Sequence, residues 1–265
     1  MHWQDMNKDE LAAAAARDAV VVLTLGATEQ HGAHLPVGTD SMSAQHIAGL
    51  AASMAHEVGT EVIVAPPVWW GYSRDHDGFP GTLTLSHATL AALLTELARS
   101  VVTNGFSRVL FVNGHGSNDR LLYYVLRDVQ DSAGVPCALA AVTYWKLAAD
   151  VVGAERDSTV GGMAHACELE TSLMLNSHPG LVRMDLAVDE RATEYSAFRR
   201  QELLVSGPVM APDRFRDLTR SGVVGDPSLA TAEKGSRWAA VIADRLADLI
   251  QDLSRWPLSA QEAME

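Results

Sequence analysis

The chain has 265 residues, 48% of them hydrophobic, with a formal net charge of −13. That is the composition of a globular protein with one sizeable core and not of a disordered chain. Its 33 acidic against 20 basic side chains exclude the basic face that nucleic acid or an anionic membrane requires.

Two cysteines, Cys137 and Cys167, are too few for a disulfide framework, and Cys137, at the head of an apolar run, reads as a buried free thiol. No stretch offers about 18 uninterrupted apolar residues, so no membrane span is expected. The acidic beginning of the sequence is unlike a signal peptide, and the expected location is cytoplasmic.

Residues 19–26, AVVVLTLG, form an apolar, β-branched run like a strand buried on both faces. Residues 41–59 have helical composition and stop at a glycine, and residues 61–67 read as a second strand closed by prolines. A helix is predicted over 86–105, with Ser86 as its N-cap and Gly105 at its end. Residues 108–116, RVLFVNGHG, are a third strand running into a glycine-flanked histidine. A helix over 117–134 and a fourth strand over 136–145 follow. Residues 165–176 read as a helix, 187–228 as mixed and loop-rich, and 229–256 as a long amphipathic helix burying Val241, Leu246, Leu249 and Ile250.

This alternation predicts an α/β fold, a mostly parallel sheet between helices, and a single domain over 1–265. In such sheets ligands bind beyond the carboxyl ends of the strands. The polar clusters fall there: Glu29 to Asp40 after the first strand, Ser73 to Phe79 after the second, Asn113 to Asn118 after the third.

Glu29 and His31 lie two apart, so in extended chain both side chains leave one face. Asp40 precedes a helix, where it suits either an N-cap or a ligand. His115 sits at the tip of the third strand. Carboxylates and imidazoles converging on one crevice are the donor mixture of Zn²⁺, Mn²⁺ or Fe²⁺, and two such ions can activate a water. A polar turn and a metal-free acid/base site are the other readings of these residues.

The segments GATEQHGAHLPVGTDS, GFPGTLTLS, FVNGHGSN, HACELETSLML and GVVGDPSLATAEKG resemble, in order, the signature segments of the creatininase family of metal-dependent amidohydrolases. The resemblance implies a three-layer α/β/α sandwich, a homohexamer, and a dinuclear centre (zinc with manganese or iron) that hydrolyses a C–N bond, often of a cyclic amide. It also implies Glu29 and His115 as ligands of one metal, His31 as a ligand of the other, and Asp40 as the bridge.

For the remaining carboxylate the resemblance points to Glu170, with Glu168 as competitor. Helix geometry favours Glu168, because Glu170 would lie about 140° round from His165 at 100° per residue. That constraint lapses if Gly161-Gly162 delays the helix past His165. By the same resemblance His165 is an acid/base group near the substrate, Trp145 and His76 face it, and His34 supports a ligand. Trp69-Trp70 are weaker candidates for lining the pocket mouth, and Arg74 and Arg156 for pairing with a substrate carboxylate.

Where creatininase itself carries a further glutamate this chain has Ser117, and residues 152–164 lack its pocket tryptophan. Both departures argue against creatinine as substrate. The expected function is hydrolysis of a small-molecule amide. The alternatives are a mycofactocin-type peptidase or formamide deformylase of the same family, and a non-catalytic metal-binding oligomer.

Overall fold

The computed structural model describes residues 1–192, 196, 198–205, 207–209 and 211–258. Four parallel strands make the central sheet: β1 (Val20–Leu25), β2 (Val62–Val64), β3 (Arg108–Asn113) and β4 (Ala138–Thr143), ordered β2-β1-β3-β4. Val22 pairs with Val64 on one side and Leu110 on the other. All residues of β1 and β3 are buried, as apolar runs covered on both faces demand. β2 ends at Val64, before Pro66-Pro67, which cannot donate to a ladder.

Among the described residues there are eight α-helices, in chain order α1 (Lys8–Ala16), α2 (Thr39–Glu57), α3 (His87–Thr103), α4 (Asp119–Ser132), α5 (Ala149–Glu155), α6 (Glu168–Ser177), α7 (Phe215–Leu218) and α8 (Ala232–Leu253). Alternate strand residues feed two cores, as the two-residue period of a strand requires. Val20, Val22, Leu110 and Val112 pack with Ile47 of α2, Leu169 of α6 and Trp238, Ile242 and Leu246 of α8. Val21, Leu23, Val109 and Phe111 pack with Ala14 of α1, Leu90 and Leu94 of α3 and Val125 of α4. The sheet is therefore the middle of three layers, as expected. No helix among the described residues is long and apolar enough to cross a membrane.

Ser86 caps α3 by accepting from the Thr89 backbone N–H, and Cys137 is a buried free thiol. The predicted helix at 165–176 is shortened. Residues Met163–His165 form β5, antiparallel to β6 (Val224–Gly225). Ala166 then takes a left-handed φ of 49°, and α6 begins only at Glu168. The chain thus turns sharply between His165 and the helix, and the wheel that related His165 to Glu168 and Glu170 does not apply.

The strand order reverses at β1. The chain passes to β2 on one side and returns to β3 on the other, which opens a crevice between the ends of β1 and β3. The first turn of α2 enters that crevice. Gly114, just after β3, lies so close that a Cβ there would overlap the Asp40 carbonyl oxygen.

Candidate metal centre

The crevice gathers Glu29 and His31 from the loop after β1, Asp40 from α2 and His115 from beyond β3. His165 at the end of β5 and Glu170 of α6 join them from the other side. Each is at most 5% exposed. Asp40 is not the N-cap of α2. That position is Gly38, and Asp40 stands in the first turn, where the positive end of the helix favours a carboxylate.

His31 Nε2 is 2.9 Å from Asp40 Oδ1. His115 Nδ1 lies 3.0 Å from Asp40 Oδ2 and 3.3 Å from Glu29 Oε1. His165 Nδ1 is 3.8 Å from the same Glu29 oxygen. Three donor groups have ligand atoms within 4.8 Å of one another: Glu29, Asp40 and His115; His31, Asp40 and Glu170; Glu29, His31 and His165. Glu29, His31 and Asp40 each belong to two of them.

The donor set fits divalent cations on two further counts. First, each of these histidines is tied by its far nitrogen to a backbone carbonyl: His31 Nδ1 to Glu29 O at 3.1 Å, His115 Nε2 to Tyr72 O at 2.8 Å, His165 Nε2 to Gln30 O at 2.7 Å. A carbonyl only accepts, so the far nitrogen carries a proton and the near one, facing the carboxylates, is the nitrogen whose lone pair a cation would take on displacing its proton, the usual posture of a metal-ligating imidazole. Second, Glu29 Oε2, His31 Nε2 and Asp40 Oδ2 are buried without a hydrogen-bond partner, although the last two have close polar neighbours. Buried polar atoms left without an aligned hydrogen bond are a place where a positive ion would satisfy them.

Burial resists charge throughout the cluster, and the neighbours decide each outcome. It opposes the His31 imidazolium, but Asp40, Glu170 and Glu29 outweigh it and hold the pKa up at about 9. His115 is likewise raised well above the usual histidine value, mainly by Glu29 acting against burial. Burial also works against the Glu29 carboxylate, yet His115 and His76 hold it well below the ordinary range. For Glu170 burial wins and lifts the carboxyl to about 7. Burial, reinforced by the nearby His31 and His76 imidazoles, keeps His165 well below its usual value and therefore neutral.

Glu168 is elsewhere. Its oxygens accept from the backbone N–H groups of Asp157 and Ser158 and from Lys234 Nζ, so it braces the 156–158 turn against α8. His76 does not stand free at the entrance: its Nε2 lies 3.3 Å from Glu29 Oε1. Trp145 is 3% exposed, packed edge-on to Tyr144, with part of its surface on the cleft. His34 bonds Thr171 Oγ1 at 2.9 Å. Arg156 pairs with Glu202 at 2.9 Å. Arg74 and Trp69-Trp70 do not line the cleft.

That cleft, about 600 Å³, opens over the cluster and is bordered by Tyr72, Asp75, Arg120, Lys146 and Phe215. Phe215 stacks on His76 at 4.0 Å and meets His165 edge-on at 4.7 Å. It comes from the stretch that reads as loop, and nothing in its local sequence marks it. Gln30, between two predicted ligands, touches both His76 and His165. Cys167 Sγ lies 3.7 Å from Glu170 Oε2.

Residues 4–250 match the creatininase (creatinine amidohydrolase) family. The mycofactocin precursor peptide peptidase of Mycolicibacterium smegmatis is 35% identical over 242 residues, covering 89% of this chain and 85% of that protein. The creatinine amidohydrolase of Pseudomonas putida is 26% identical over 258 residues, covering 92% and 94%. A manganese creatininase structure superposes with a TM-score of 0.81 at 24% identity, covering 95% of this chain and 97% of that one; a zinc–zinc mutant creatininase gives the same figures. The chain belongs to the creatininase family of hydrolases that act on carbon–nitrogen bonds.

Proposed function

We propose that the chain is an amidohydrolase with two divalent cations, Glu29 and His115 holding one, His31 and Glu170 the other, and Asp40 reaching both. The observation that carries this reading is the shared posture of His31 and His115, each fixed by a backbone carbonyl with its free nitrogen facing Asp40. Bound there, the pair of ions supplies an acidified water and an electrophile for the amide oxygen.

The chain's own residues do the rest. Asp40 sets the spacing of the two halves from the end of a helix. His165, neutral and with its Nε2 proton committed to Gln30 O, has Nδ1 free to take a proton from the attacking water. It returns that proton to the leaving nitrogen as the C–N bond breaks, so the two transfers balance. Phe215, His76 and Trp145 wall the cleft and limit water around the reacting amide.

The substrate is a small amide, cyclic amides being the first class. Creatinine is disfavoured, since Ser117 stands where creatininase carries a glutamate and donates to Asp75 Oδ2 at 2.8 Å. A second reading, cleavage of a peptide bond in a short peptide, is favoured by a 600 Å³ cleft, more than a small lactam fills, and by the peptidase relatives. The same proposal takes 1–265 as one catalytic domain of a cytoplasmic homohexamer using zinc with manganese or iron, a stoichiometry that light scattering measures.

Protein loaded with zinc, manganese or iron is to be assayed on lactams, formamides and short peptides. Turnover of one class, abolished by chelation and by His165→Ala, is expected. Two ions per chain with no turnover of any class would overturn catalysis in favour of a binding or structural role.

A further inference from the structure

Gln30 lies between Glu29 and His31 and is 5% exposed, and its side chain takes no part in the scheme above. Two backbone groups fix which way its amide points. The Gly32 N–H donates to Oε1 at 2.9 Å, and Nε2 lies 2.9 Å from the Gly222 carbonyl. The N–H can only donate and the carbonyl can only accept, so the oxygen and nitrogen of the amide are assigned without ambiguity. Gly222 is part of the arrangement: its φ is +88°, and a Cβ there would overlap Gln30 Oε1.

The amide nitrogen has two hydrogens. One goes to Gly222 O. The other has two imidazole nitrogens in range, His76 Nδ1 at 3.0 Å and His165 Nε2 at 3.2 Å. His165 Nε2 is already a donor, because it lies 2.7 Å from the Gln30 carbonyl, so it has no lone pair to offer. His76 Nδ1 is therefore the acceptor. A neutral His76 then carries its proton on Nε2, the atom 3.3 Å from Glu29 Oε1.

We infer that Gln30 is a positioning residue that sets the tautomers of two histidines in opposite senses. Its side chain makes His76 present an N–H to Glu29, and its backbone carbonyl makes His165 present a lone pair to the cleft. His76 is thereby a hydrogen-bond support for Glu29 and not a ligand. Its N–H occupies Glu29 Oε1 and leaves Oε2, which has no partner, for a cation. Such supporting bonds orient ligands and raise their metal affinity. This consequence rests on the reading of Glu29 as a ligand, whereas the tautomers do not.

Solid-state nitrogen-15 spectra of histidine-labelled, zinc-loaded protein distinguish protonated from bare imidazole nitrogens, with His76→Gln assigning the His76 signals. The expected result is a bare Nδ1 and a protonated Nε2 on His76. Gln30→Glu, which offers no hydrogen toward His76 or Gly222, should reverse that pattern. Gln30→Leu should weaken zinc binding or lower kcat by about 10- to 100-fold with KM nearly unchanged, and should add nothing in a His76→Gln background.

A His76 with Nδ1 protonated in the parent protein, or with Nε2 bare because it binds zinc, overturns the inference; the parent spectrum decides this even if the Gln30 variants fail to fold. Additive losses in the double variant overturn it as well. The spectra need no turnover, so absence of hydrolysis refutes the proposed function and leaves this test standing.

Discussion

Glu168 and Glu170 stand two residues apart on α6, and replacing each by glutamine should move the protein in opposite directions. Raising the Glu170 carboxyl from 4.5 to about 7 corresponds to about 3 kcal/mol against its charged form, at about 1.4 kcal/mol per pH unit. Because the folded value lies above the unfolded one, this penalty is absent below about pH 4.5, grows between 4.5 and 7, and is complete above about 7. Glu170→Gln should therefore leave the metal-free fold as stable or more stable at pH 8, by up to about 3 kcal/mol. Its amide oxygen can still accept from the Cys167 N–H, as Oε2 does now at 3.3 Å.

Glu168 is fully buried beside Lys234, whose side chain is 18% exposed. Its replacement puts an amide N–H among donors and leaves the lysine with less charge opposite it. Breaking such a pair costs about 2–4 kcal/mol, or roughly 5–10 °C in Tm for a chain of this size. Calorimetry of chelated and metal-loaded protein at pH 8, with metal content measured on the same samples, separates the two variants. Glu168→Gln should melt early yet load its ions. Glu170→Gln should melt normally when stripped but gain little from metal. A Glu170→Gln protein that loads two ions like the parent, or a Glu168→Gln protein that keeps its Tm and loses an ion, refutes the assignment.

His31→Ala should retain the fold and one ion while losing the second. Hydrolysis should fall by more than the about 100-fold typical of a lost supporting hydrogen bond; two ions and full activity would remove His31 from the centre. With His31 held at about 9, the metal-free protein carries a proton there at pH 7 that a cation must displace. Affinity should then rise with pH until about 9, and titration calorimetry in buffers of different ionisation heat should detect proton release. Gly114→Ala pushes a methyl into the Asp40 carbonyl and should destabilise by about 1–3 kcal/mol; an unchanged Tm would contradict the close approach of α2 to β3.

The sheet was readable because buried parallel strands announce themselves as unbroken apolar runs, and β1 and β3 fall inside the predicted segments. Glu29, His31, Asp40 and His115 were readable as candidates because they follow those strands, where an α/β fold concentrates its ligands. What sequence left open depended on conformation or on distant contacts. Asp40 as cap or ligand turned on whether the helix starts at Gly38. Residues 165–176 read as a helix that includes His165 because nothing local announces an alanine at φ 49°. Phe215 and the hydrogen-bonding partners of Gln30 were out of reach, since neither periodicity nor spacing says which side chain a loop will deliver to an imidazole. α1 carries little signal in the sequence, because only one of its residues, Ala14, is buried.

The order in which the donors occur along the chain has a consequence for biosynthesis. Glu29, His31, Asp40 and His115 leave the ribosome well before Glu170, and α8, which packs against α6, leaves later still. A nascent chain can thus assemble one half of the pocket early, while the other half must await the docking of the carboxyl-terminal helices. On the proposed ligand set, the donors of one ion (Glu29, His115 and Asp40) are synthesised together and early, whereas the other ion would wait for Glu170, so the pair would be complete only once α6 has docked.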